Sequence, residues 1–83
     1  MSHDSHPDIV KRLKRVEGHV RSVIAMIEQG RPCTDLAQQL HAVEAAVTSA
    51  KRELIHDHIE HCLDGGGAAL DDLKELKQLA KYL

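Results

Sequence analysis

Two stretches of apolar residues, each spaced alternately four and three apart, constrain this chain more than any other feature. Ile9, Leu13, Val16, Val20, Val23 and Ile27 carry the first; Leu36, Leu40, Val43, Val47, Ala50 and Leu54 carry the second. A strand repeats every two residues, whereas this spacing keeps one stripe of a helix apolar over many turns. The fold class is therefore all-α. Between the stretches stand Gly30, Arg31 and Pro32, a glycine that can close a helix and a proline that cannot continue one. Two long amphipathic helices joined by so tight a turn make an antiparallel hairpin.

The first helix is expected to start at Ser5-His6-Pro7-Asp8, with Ser5 as N-cap, Pro7 in the first turn and Asp8 facing the helix dipole favourably. The second starts near Pro32 or Cys33 and meets no breaker before Gly65-Gly66-Gly67. That makes it around 30 residues, or about 45 Å. Leu70, Leu73, Leu76, Leu79 and Leu83 then predict a short third helix running to the chain end. The whole, residues 1–83, reads as one helical domain with residues 1–6 as a flexible tail. A chain of 83 residues with one aromatic builds only a marginal core of its own. A hairpin also covers only one of its two sides, so docking two hairpins into a four-helix homodimer is the expected remedy.

The N-terminal MSHDSHPD is polar and acidic, unlike a signal peptide, and no apolar run is long enough to span a bilayer. The expectation is a cytoplasmic protein without a membrane partner. In that reducing compartment Cys33 and Cys62 are free thiols, ligands or redox sensors rather than a structural disulfide. They could also be small buried hydrophobes.

The second helix carries the chemistry. Cys33 opens it, and His58 and Cys62 lie four apart near its end, on one face, where both can chelate one ion. Two thiolates and an imidazole suit Cu(I), Zn(II), or Ni(II) if further nitrogens join. On a straight helix Cys33 lies about 37 Å from His58. One chain cannot close that gap, but two antiparallel copies can, giving two equivalent sites per dimer. His61 is the nearest rival donor, and His3 and His6 are either additional metal ligands on a mobile N-terminal cap or a polar tail. His19, His41 and His56 are expected to face solvent. No nucleophile with a base and an orienting group emerges, and no phosphate-binding glycine loop follows a strand, so neither an enzyme nor a small-molecule substrate is expected.

The net charge of −2 does not announce a nucleic-acid binder. Local clustering is another matter. Lys11, Arg12, Lys14, Arg15 and Arg21 face Glu17 alone between residues 9 and 21, and Lys51 and Arg52 sit midway along the second helix. Hairpin closure would let residues near 15 and 51 approach, offering phosphates a basic surface. A solvated face is the alternative.

The run Arg12-Leu13-Lys14-Arg15-Val16-Glu17-Gly18-His19, then Cys33, then Gln38-Gln39-Leu40-His41-Ala42-Val43, then His58-Ile59-Glu60-His61-Cys62 resembles the CsoR/RcnR family of bacterial metal- and stress-sensing repressors. The resemblance spans nearly the whole chain, and Cys-x24-His-x3-Cys is a specific spacing. It implies all-α dimers that pair into homotetramers, bind operator DNA without a helix-turn-helix, and release it when an effector occupies the intersubunit site. An efflux or detoxification operon is then derepressed. Cys33, His58 and Cys62 match the ligand positions of the Cu(I) sensors, Arg12 matches a basic position tied to DNA binding, and, across a three-residue gap, Glu75 matches an outer-shell carboxylate. Pro32 replaces a tyrosine common in copper sensors. Ser49 replaces a second-helix arginine, with Lys51 and Arg52 as candidate substitutes. His3 and His6 resemble the N-terminal nitrogens of the Ni(II) and Co(II) sensors. Three readings stand beside a Cu(I) sensor: a Ni(II)/Co(II) sensor, a persulfide or formaldehyde sensor acting through Cys33, and a metal-binding bundle with no DNA role.

Overall fold

The computed structural model describes residues 6–64 and 70–83, with side chains described outside 62–72. Three helices follow one another: α1 (Pro7–Glu28), α2 (Cys33–Asp64) and α3 (Leu70–Ala80). There is no strand among the described residues.

Pro7 stands at the first helical position of α1, where its missing N–H costs nothing. The cap position falls on His6 instead of Ser5, which lies outside the described residues. His6 is left-handed (φ 39°, ψ 60°) and makes no side-chain bond to its own helix. Its ring is engaged elsewhere: Nδ1 lies 2.9 Å from Asp57 Oδ2 on α2. At the other end, Gly30 adopts φ +76°. Its N–H bonds Ile27 O at 3.0 Å, and that of Arg31 bonds Met26 O at 3.1 Å. This pair of bonds is the Schellman arrangement, which satisfies carbonyls a helix end otherwise leaves orphaned. The turn is thus built as the sequence leads one to expect.

Helix α2 runs unbroken for 32 residues. At 1.5 Å per residue it is about 48 Å long, close to the full 53 Å extent of the molecule. The Gly65-Gly66-Gly67 break lies outside the described residues. Helix α3 stops at Ala80, short of the chain end expected from the leucine spacing. The N–H groups of Lys81, Tyr82 and Leu83 instead reach back three residues, to Gln78, Leu79 and Ala80. Tyr82 and Leu83 are exposed, so no packed face holds a further turn in register.

The thinnest dimension is only 14 Å, little more than one helix diameter. A slab that thin cannot surround its side chains, and the buried apolar residues among those described are Ile9, Val23, Ala50 and Ile55. Each apolar stripe divides in a regular way. Ile9, Val16 and Val23 turn towards α2, and Leu36, Val43 and Ala50 are likewise buried or half-buried. The alternate members, Leu13, Val20, Ile27, Leu40, Val47 and Leu54, remain 37–54% exposed. One half of each heptad closes the hairpin, and the other half is left facing outward. No helix among the described residues is long and apolar enough to cross a membrane.

Candidate functional site

Because α2 is continuous, its length separates the two parts of the expected metal centre. Cys33, exposed, sits at the first residue of α2. His58 lies on its last turns, about 37 Å away. Cys62 belongs to the same helix, with its side chain outside the described set. Within the chain, no group of three or more His, Cys, Asp or Glu is placed to hold a metal among the described residues.

His58 is held in a specific way. α3 folds back over the end of α2, and Leu54, Ile55, His58, Glu75 and Leu79 line one recess together with His6. Within it His58 Nε2 donates to Glu75 Oε1 at 3.1 Å. A carboxylate on Nε2 fixes both ring orientation and tautomer, and it directs the lone pair of Nδ1 away from the pair. The structure thus brings Glu75 to His58, a juxtaposition the sequence offered only through its resemblance. It also brings His6 to the same recess, while His3 lies outside the described residues. His61 is half-buried one turn beyond His58.

The remaining histidines divide. His41 is exposed, 4.0 Å from Glu44, as expected. His56 is exposed as well. His19 is not a solvent-facing residue: its Nε2 donates to Gln39 Oε1 at 2.7 Å across the hairpin. Position 19 follows Val16 by three residues and precedes Val23 by four, so it falls on the face that closes against α2. Spacing alone carried that signal.

The basic residues fall on two different sides of the hairpin. Arg12, Arg15, Val16 and His19 line a groove with Ala46 and Ser49. The groove continues past Glu53 into a recess lined by His6, Asp8, His56, Asp57 and Glu60. Ala46, Ser49, Glu53, His56 and Glu60 recur three and four apart, so they form one face of α2. Arg52, three residues after Ser49, flanks that face. Lys14 instead borders Val10 and Leu13, and Lys51 shares the face of Val47 and Leu54. Hairpin closure therefore sets Arg15 beside Ser49, with Lys51 turned to the apolar side. Arg12 reaches across and pairs with Glu53, Nη1 to Oε1 at 2.8 Å.

Comparisons with known proteins identify the family and the fold. The family described as metal-sensitive transcriptional repressor matches residues 5–83. The copper-sensing transcriptional repressor CsoR of Mycobacterium ulcerans (strain Agy99) is 39% identical over 82 residues, covering 88% of this chain and 70% of that protein. CsoR of Bacillus subtilis (strain 168) is 38% identical over 80 residues, covering 88% and 79%. The solved structure of the nickel-responsive transcriptional regulator InrS matches with a TM-score of 0.81 and 33% identity, over 100% of this chain and 98% of that one. The chain belongs to the CsoR/RcnR family of metal-sensitive transcriptional repressors.

Proposed function

We propose that this repressor binds operator DNA as a homotetramer of paired hairpins and releases it when Cu(I) is held by Cys33 of one chain with His58 and Cys62 of a neighbour. The observation that carries the reading is the His58–Glu75 hydrogen bond, set beside an exposed thiol at the far end of an unbroken helix. An imidazole pinned through Nε2 is prepared to offer Nδ1, and a soft, low-coordinate ion is what two thiolates and one imidazole suit. Held by Cys33, His58 and Cys62, Cu(I) would tie the start of one α2 to the end of another. The residues of this chain do the rest. Glu75 aims the ring, the length of α2 keeps the donors of one chain apart, and the outward apolar stripes offer the surface for a neighbour running the opposite way. Arg12, Arg15 and Arg52 line or flank the polar groove and supply positive charge for phosphates. The copper-sensing relatives support the choice of ion.

A second reading, a Ni(II)- or Co(II)-responsive repressor, is favoured by one observation: His6 lines the same recess as His58 and Glu75, so an added nitrogen donor is at hand. Anaerobic titration of the DNA-bound protein with Cu(I), Ni(II), Co(II) and Zn(II) separates the two. Release by Cu(I) alone, lost in Cys33→Ala while DNA binding persists, is the expected result. A thiolate-to-Ni(II) charge-transfer band that vanishes in His6→Ala would transfer the assignment to nickel. Loss of DNA binding in Cys33→Ala would make the thiol structural and end both readings.

A further inference from the structure

Of the basic residues on the DNA-facing side, one is already occupied. Arg12 pairs with Glu53 across the hairpin at 2.8 Å, both side chains being about two-fifths exposed (42% and 40%). Arg15 and Arg52, which line and flank the same groove, form no ion pair among the described residues. The pair also marks a boundary. On one side the groove is lined by Arg12, Arg15 and His19 with uncharged Ala46 and Ser49. On the other it is lined by Asp8, Glu53, Asp57 and Glu60 with two histidines. Glu53 is therefore the first carboxylate met by a polyanion lying along the basic half.

We propose that Glu53 is an intramolecular stand-in for a DNA phosphate, holding the Arg12 guanidinium and lowering the affinity of the repressor for its operator. The inference rests on the reading that this groove binds DNA. A guanidinium fork presents paired donors that fit a carboxylate or a phosphate equally well. The two acceptors compete for the same donors. An exposed pair of this kind contributes little to folding, so its removal spares the hairpin while freeing the cation.

The test is a double-mutant cycle on the full chain, read as affinity for a labelled duplex that the wild type has selected from random-sequence DNA. Glu53→Gln should bind about three- to fivefold tighter, a gain in line with measured exposed ion pairs. In an Arg12→Gln background the same substitution should bring no gain. Glu44→Gln, an equal change of net charge elsewhere on α2, should leave affinity within about twofold. Circular dichroism and urea unfolding establish that each variant folds. Equal gains from Glu53→Gln with and without Arg12 would reduce Glu53 to a general repulsive charge and overturn the proposal. Unchanged or weaker binding by Glu53→Gln would overturn it too, while leaving the DNA-binding reading intact. Failure of the wild type to select any duplex would instead remove the reading on which the proposal stands, and the proposal with it.

Discussion

Glu75 reaches His58 from another helix, 17 residues further along the chain, and in the proposed site its carboxylate would settle which imidazole nitrogen faces the ion. Groups that orient a ligand in this way commonly matter by about 10- to 100-fold in metal affinity. Glu75→Ala should therefore weaken Cu(I) binding by about that factor in competition with a Cu(I) chelator. DNA binding by the metal-free protein should be unchanged. Equal Cu(I) affinity in wild type and variant would show that the hydrogen bond orients nothing. His19 makes a parallel point without a metal. Its bond to Gln39 ties the hairpin through two polar side chains that sit beside the apolar register, one residue before Val20 and Leu40.

Two glycines test the helices themselves, because neither has a neighbour within 4 Å of the place a methyl group would occupy. Gly18 lies inside α1 with helical backbone, so Gly18→Ala should raise stability by about 0.5–1 kcal/mol. Gly30 sits at φ +76°, where an L side chain is strained by about 1–2 kcal/mol, so Gly30→Ala should lower it by about that much. Urea unfolding midpoints of the two variants should move in opposite directions. A loss of stability in Gly18→Ala would mean that another chain packs closely there. The joint between α1 and α2 was readable beforehand, since Gly-Arg-Pro has few local solutions. The end of α3 was not: leucine spacing continues to Leu83, but whether a last turn forms depends on what it packs against.

A body 14 Å thick leaves eight large apolar residues of α1 and α2 37–54% exposed, the surface on which the proposed assembly rests. Assembly of paired hairpins, as proposed, should give a melting temperature that rises with protein concentration. Val47→Asp, which would place an unpaired charge on a stripe expected to be covered, should dissociate the assembly or cost it about 3 kcal/mol. Sedimentation of wild type and variant decides this. Identical sedimentation at all concentrations would mean that the stripe is not an interface.

Helix content, the hairpin turn and the separation of Cys33 from His58 were all legible in residue order, because helical periodicity and rise per residue are local properties of the backbone. The same arithmetic is the ground for proposing that the metal donors come from different chains. What residue order could not convey is which half of each heptad turns inward, that Arg12 faces Glu53, and that α3 carries Glu75 back to His58. Those facts depend on the rotation of one helix about its axis relative to the next. That rotation is set by how whole faces pack, a sum over many weak contacts that no single stretch of chain contains.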